Sequence, residues 1–251
     1  MKPSDIYILV VDDEPLILEA VSDLFKKFNF KVDTACSGNK AFELFQKNSY
    51  DLVLTDVRMP DGDGIELTKK IKAKDTIRPS VLFMTGFSDL LNQEIYHIGA
   101  EGKFIKPFDS KAVRQAIQSC LLAPHLKWSQ PQSAGGRVLT IEKVGNDIAS
   151  LEAQRSVLFG RGGFFISHAF APPEKGSTVL FSIEIRKPTP ISFKGAGVVR
   201  WIQNHGRNNI PAGLGIEITK LSESDAKIYQ ELFGKVIPFI PSMSLLNAAV
   251  A

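Results

Sequence analysis

Through the first half of the chain, short apolar runs alternate with stretches in which apolar residues recur every three or four positions. The runs Ile6–Val11, Lys31–Ala35, Leu52–Thr55, Ser80–Met84 and Lys103–Ile105 have the length of strands. Between and after them, Pro15–Phe28, Asn39–Asn48, Ile65–Lys74, Leu90–His97 and Ser110–Leu122 carry helical spacing. In the first of these, Val21, Leu24, Phe25 and Phe28 fall on one face. Pro15 suits a first helical turn, where its missing N–H would have no partner anyway. Strands separated by helices of this length imply right-handed βαβ crossovers. The pattern therefore predicts an α/β domain over residues 1–122, a doubly wound five-stranded parallel sheet.

Beyond it the texture changes. Residues 123–136 hold Pro124, Pro131, Gly135 and Gly136 among polar neighbours and read as a linker. Helical periodicity then vanishes, and Arg137–Val144, Leu151–Phe159, Gly163–Ser167, Ser177–Ile185, Ile191–Gln203 and Gly213–Thr219 read as strands. Val179, Phe181, Ile183 and Ile185 alternate on one face. Six short strands predict a small antiparallel six-stranded β-barrel over residues 137–236. A closing helix is expected, with Ser222 as N-cap, Asp225 three residues on and Gly234 as its stop. Residues 237–251 form an apolar tail broken by Pro238 and Pro241. Such a tail either docks on the barrel or serves as an association patch.

Composition changes this picture little. Of the 251 residues, 44% are hydrophobic and 23% charged, which argues against disorder. No apolar run approaches the roughly 20 residues that span a bilayer. A cytoplasmic protein without membrane insertion is the expectation. Cys36 and Cys120 show no metal spacing and are expected as free buried thiols. The net charge is +3, but residues 1–123 hold 16 basic and 18 acidic residues and the remainder 14 and 9. That surplus admits an anionic partner for the second half without demanding nucleic acid.

The candidate chemistry lies at the strand ends. Asp12 and Asp13 close the first strand, Asp56 the third, Thr85 the fourth and Lys106 the fifth, so all five converge on the sheet edge where α/β proteins bind ligands. Three carboxylates packed together repel one another and call for a hard cation such as Mg²⁺. A lysine beside them can pair with a carboxylate at rest and with a phosphoryl oxygen afterwards.

Asp12-Asp13, the run Asp56-Val57-Arg58-Met59-Pro60-Asp61-Gly62-Asp63-Gly64, Met84-Thr85-Gly86 and Lys106-Pro107-Phe108 together resemble the bacterial response-regulator receiver (CheY-like) domain. The resemblance implies that Asp56 accepts a phosphoryl group from a histidine kinase. It implies that Asp12, Asp13, Asp56 and the backbone carbonyl of Arg58 hold Mg²⁺, and that Lys106 and Thr85 receive the phosphoryl oxygens. Phe104 is matched to the family's switch aromatic, which turns inward on phosphorylation. Gly86 leaves the site open to a donor, and the Lys106–Pro107 bond is expected to be cis. The bland alternative is an acidic solvated rim on an unphosphorylated scaffold.

In the second half, Arg161-Gly162-Gly163-Phe164-Phe165-Ile166, Gly195-Ala196-Gly197-Val198-Val199-Arg200-Trp201 and Gly213-Leu214-Gly215-Ile216-Glu217-Ile218 resemble the PilZ family. That resemblance implies a barrel with a C-terminal helix, in a family that binds cyclic di-GMP. The ligand motifs are depleted here. The paired arginines fall on Ser133 and Arg137, and the polar motif ending in glycine falls on Leu158 to Gly163, where only Gly163 survives. Losing one bidentate arginine–guanine contact and two polar partners removes roughly 3–6 kcal/mol. That turns a micromolar ligand into one of about millimolar or weaker affinity. The alternative is a rearranged nucleotide site built from Arg137, Arg155 and Arg161, set against a reading of these as solvated surface arginines.

The sequence thus points to a two-component response regulator, with no enzyme activity beyond slow autodephosphorylation. Its PilZ-like output domain is expected to act on an unknown downstream protein, in motility or surface behaviour if the resemblance holds. A homodimer stays open. DNA binding is not expected, since residues 124–251 hold one convincing helix and no helix-turn-helix pattern. The alternative function is a phosphorylation-gated cyclic di-GMP receptor. His168 and His205 stand alone and suggest no catalytic constellation.

Overall fold

A computed structural model describes residues 2–86, 98–122, 128–129, 138–153, 156–167, 173–204 and 211–235. The chain divides into two compact units, with the boundary between Leu121 and Leu122. The expected helix Leu90–His97 and the tail 237–251 lie outside the described residues.

The first unit begins with a 3₁₀ turn, Pro3–Asp5, and is built on five parallel strands. These are β1 (Tyr7–Val11), β2 (Lys31–Ala35), β3 (Leu52–Asp56), β4 (Ser80–Thr85) and β5 (Gly102–Ile105), in the order β2-β1-β3-β4-β5. Its described helices are α1 (Pro15–Lys27), α2 (Gly38–Lys47), α3 (Gly64–Lys74) and α4 (Ser110–Leu121). Pro15 opens α1, Ser37 caps α2 by accepting from Lys40 N, and Asp63 caps α3 by accepting from Glu66 N. The central strands read as unbroken apolar runs because both their faces are buried. One core layer joins Ile8, Val10, Leu54 and Met84 to Phe25 of α1 and to Val113 and Ile117 of α4. At the base of the sheet, buried Lys72 donates to the Pro79 carbonyl, and buried Glu101 accepts from Val81 N.

The second unit is a curled six-stranded sheet in the order β6-β9-β10-β11-β8-β7. Its strands are β6 (Val138–Gly145), β7 (Val157–Gly160), β8 (Gly163–Ser167), β9 (Thr178–Ile185), β10 (Ile191–Gln203) and β11 (Gly213–Leu221). Two expectations about its strands need correction. The sheet is mixed, since β6 runs parallel to β9 while the other pairs are antiparallel. The expected strand Leu151–Phe159 is instead a short helix, α5 (Ile148–Ala153), followed by β7. Asp147 and Ser150 exchange backbone-to-side-chain hydrogen bonds at the start of α5, and Leu151 is buried against Gly145.

The closing helix α6 (Glu223–Phe233) follows its cap, Ser222. It places Ala226, Tyr229 and Phe233 in the core with Phe159, Phe164 and Phe193. The Tyr229 hydroxyl donates to the carbonyls of Gly160 and Gly163, holding the β7–β8 hairpin. Trp128 belongs to this core too, 3% exposed and edge-on to Tyr229 at 5.6 Å. The segment read as linker therefore contains a core residue. The thiols also differ from expectation: Cys36 is exposed and Cys120 half-buried.

Candidate functional site

The C-terminal ends of β1 and β3 bring Asp12, Asp13 and Asp56 together, with one carboxylate oxygen from each lying within 4.8 Å of the others. Asp12 is fully buried, Asp56 half-buried and Asp13 exposed. A buried carboxylate needs partners. Asp12 accepts from Glu14 N at 3.0 Å and from Lys106 Nζ at 2.6 Å. Asp56 accepts from Val57 N at 2.6 Å and from Lys106 Nζ at 3.2 Å. Burial pulls the Lys106 pKa down, but the hydrogen bond to Asp12 and the charges of Asp56 and Asp12 outweigh it, so the net shift is upward. The ammonium is thus held charged between two carboxylates.

Thr85 is buried at the end of β4, and its carbonyl accepts from Lys106 N at 2.8 Å. The Lys106–Pro107 bond is cis, as expected. A Cβ on Gly86 would meet nothing within 4 Å, so the chain is open there. Arg58 lies two residues past Asp56 with its side chain exposed.

Phe104 is not where the resemblance put it. Side chains alternate along a strand, and this parity sends Phe104 to the face that carries Ile8, Val10 and Met84. It is fully buried there under Phe25, Val113 and Ile117. Thr85 and its ladder partner Ile105 face the other way. Space released by a movement of Thr85 would open on the face opposite Phe104. The β5 residues on that face are Ile105, opposite Thr85, and Lys103, paired with Phe83.

Several residues around the site have roles that the sequence reading left unassigned. Gly64, the first residue of α3, lies so close to the Asp56 carbonyl oxygen that a Cβ there has no room. Asp61 adopts a left-handed backbone, φ 56°, and Gly62 follows at 96°. The Asp61 carboxylate accepts from Ser37 Oγ at 3.1 Å and Asn39 Nδ2 at 2.9 Å, while Asn39 N donates to its carbonyl. Gly38 N donates to the Gly62 carbonyl at 2.9 Å. The loop following the candidate acceptor is thereby clasped to the start of α2. The hydrogen bonds from Asn39 and Ser37 hold the Asp61 carboxyl below the usual carboxylate range. The signals that could have found the clasp are the Asp61-Gly62 turn pair and Ser37 ahead of α2, though neither says that the two meet.

Of the arginines considered for a nucleotide site, Arg137 and Arg155 lie outside the described residues. Arg161 is 6% exposed and engaged, so it is no solvated surface arginine. Gly163, the surviving motif glycine, has no room for a Cβ against the Ile216 carbonyl across the ladder, which is a packing reason for glycine. Buried Arg200 donates to Glu217 on the neighbouring strand.

A five-stranded parallel sheet with three carboxylates and a lysine at its carboxyl edge defines the class, an α/β domain with a candidate divalent-cation site. The comparisons carry this further. Residues 8–118 match the response regulator receiver domain. Over 116 residues the chain is 37% identical to sporulation initiation phosphotransferase F of Bacillus subtilis, covering 45% of this chain and 92% of that protein. It is 34% identical over 121 residues to the regulatory protein AtoC of Escherichia coli, covering 48% of this chain and 26% of that one. Among solved structures, the response regulator TrrA of Thermotoga maritima in complex with Mg(2+)-BeF aligns with 29% identity and a TM-score of 0.42, over 46% of this chain and 99% of that one.

The chain belongs to the response regulator receiver family, whose domains take a phosphoryl group from histidine kinases and bind Mg²⁺ through an acidic pocket. Its first unit is a receiver domain of phosphorylation-dependent signalling. The chain spans about a quarter of AtoC, and the second unit lies largely beyond the residues matched. Among the described residues, no helix is long and apolar enough to cross a membrane.

Proposed function

We propose that Asp56 is the phosphoryl acceptor of a two-component response regulator. The observation that carries this reading is Lys106 bridging Asp12 and Asp56 beside a third carboxylate. In the transfer, the P–N bond of a kinase phosphohistidine breaks and a P–O bond to an Asp56 carboxylate oxygen forms. The electron pair leaves with the imidazole, which takes up a proton from solvent. Asp12, Asp13, Asp56 and the Arg58 carbonyl would hold Mg²⁺, which neutralises charge on the phosphoryl oxygens when bound. Val57 N keeps the Asp56 carboxylate oriented. Lys106 needs little movement to exchange Asp56 for a phosphoryl oxygen, and the Thr85 hydroxyl supplies a further donor. Such a chain is an acceptor with slow self-dephosphorylation rather than a turnover enzyme.

The second unit is read as a PilZ-like output that works through protein contacts. Three points support this reading: Arg161 is buried, the PilZ resemblance puts apolar Leu158 where a polar ligand would stand, and Gly163 is explained by packing. Two experiments test the function. With Mg²⁺ and a small acyl phosphate, the protein should gain about one phosphoryl group and Asp56→Asn none. Labelling that persists in the variant refutes the acceptor. Calorimetry with cyclic di-GMP should show no saturation below roughly ten micromolar; tighter binding would replace the protein-contact output with a nucleotide-gated one.

A further inference from the structure

We propose that the open edge of β6 is a self-association surface, pairing antiparallel with β6 of a second copy of this chain. β6 ends the six-stranded sheet, and among the described residues no strand pairs with its second side. On its occupied side, the Gly145 carbonyl accepts from Arg186 N just past β9. Backbone groups alternate sides along a strand, so Ile141, Lys143 and Gly145 turn theirs toward β9. Val138, Thr140, Glu142 and Val144 turn theirs to the open edge. The side chains of these four are exposed, Val138 at 58% and Val144 at 53%. Leu180, beside Thr140 on β9, is exposed as well. No proline interrupts this eight-residue edge. Natural edges are usually blunted against such pairing.

Charge selects the occupant and the register. A two-fold axis through Ile141 sets Val138 opposite Val144 of the second copy, Thr140 opposite Glu142 and Leu139 opposite Lys143. Moving the axis to Glu142 sets two carboxylates face to face, and moving it to Lys143 sets two ammonium groups face to face. Moving it to Thr140 carries Val144 past the end of the partner strand. Of these registers, the one through Ile141 pairs the valines and opposes no like charges. In it, the four residues facing the edge form hydrogen-bonded pairs, each exchanging both N–H···O bonds. Two eight-residue edges bury less than the roughly 1,200 Å² of a standard stable interface, so the association is concentration-dependent.

The surface owes nothing to the phosphoryl site, and its test uses the full chain without Mg²⁺ or a phosphodonor. Sedimentation from about 1 µM to about 500 µM should show a rise from one chain mass to two. The amides of Thr140, Glu142 and Val144 should gain hydrogen-exchange protection over the same range. Thr140→Pro removes an edge N–H without touching the β9 ladder. Val138→Lys sets a charge against Val144. Each should weaken association by at least about tenfold. Combining Val138→Lys with Val144→Glu sets opposite charges opposite each other and should restore association to within about threefold of the parent. A monomer at every concentration overturns the proposal. So does an association that folded Thr140→Pro and Val138→Lys leave unchanged, or a double variant that stays as weak as the singles.

Discussion

Placing a methyl group on Gly64 should slow phosphorylation by more than its cost in stability alone would suggest. The residue opens α3, and its amide donates to the Val57 carbonyl at 3.0 Å. A Cβ there would run into the Asp56 carbonyl oxygen and come within 3.0 Å of Thr55 Oγ1. Relieving the overlap takes a displacement of about 1 Å, because carbon and oxygen repel steeply inside contact distance. The start of α3 cannot easily retreat, since Asp63 caps it through Glu66 N and Thr68 Oγ1 donates to the Gly64 carbonyl at 2.7 Å. The shift therefore falls largely on Asp56. Overpacking costs about 1–3 kcal/mol, of which the better helix propensity of alanine returns about 1. A misplacement of about 1 Å at reacting atoms can cost about a hundredfold in rate. Gly64→Ala should thus lose about 0–2 kcal/mol by urea unfolding, and 10- to 100-fold in labelling rate at saturating Mg²⁺. A labelling rate within about twofold of the parent would show that the contact does not position the acceptor.

Lys106→Ala should still bind Mg²⁺, because three carboxylates remain, yet a phosphoryl mimic should no longer alter its amide spectrum; an unchanged response would dismiss Lys106 as the reader. For Asp61 the folded carboxyl is depressed, so its contribution is present above the unfolded pKa of about 3.9 and is lost as pH falls through the folded value. Asp61→Asn should therefore show a shallower fall of Tm below about pH 4 than the parent, and parallel melting curves would contradict the clasp. Tyr229→Phe removes the donor shared by the Gly160 and Gly163 carbonyls and should cost about 1–3 kcal/mol in denaturant titrations, whereas a neutral result would mean that water replaces the hydroxyl.

The first unit was readable because its signals are local and repeated. Each apolar run is followed by a helical stretch, the first opened by Pro15, and that alternation implies right-handed crossovers between parallel strands. The acidic cluster was readable because its members close two strands of one parallel sheet, the first and the third. Phe104 failed on parity: two residues before Lys106 is the core-facing register of β5. The clasp of Asp61 to Ser37 was hidden because it joins turns 24 residues apart. In the second unit, Leu151 was counted into an apolar run, although Asp147 and Ser150 carried the cap of a short helix. The parallel pairing of β6 with β9 has no local signature. A strand's alternation tells which face is buried, and leaves the direction of its partner unstated.

Trp128 decides where the second folding unit begins. Proline and glycine around it suggested a linker up to residue 136, yet its ring packs against Tyr229 and its carbonyl accepts from Leu221 N at 3.3 Å. The contact therefore involves the end of β11 and the helix α6 that completes the core. Truncating a buried tryptophan costs about 3–5 kcal/mol, against a stability of about 5–15 kcal/mol for an ordinary domain. Trp128→Ala should accordingly lower the denaturation midpoint of the second unit, followed by far-ultraviolet circular dichroism so that the lost fluorophore does not confuse the readout. The receiver's capacity to accept phosphoryl should stay intact, because Asp56, Lys106 and their neighbours belong to the first unit. A fragment begun at residue 137 should be destabilised by a similar amount relative to one begun ahead of Trp128. Equal stability of those two fragments would mean that the tryptophan merely rests on a core that is complete without it, and the boundary would then return to residue 137.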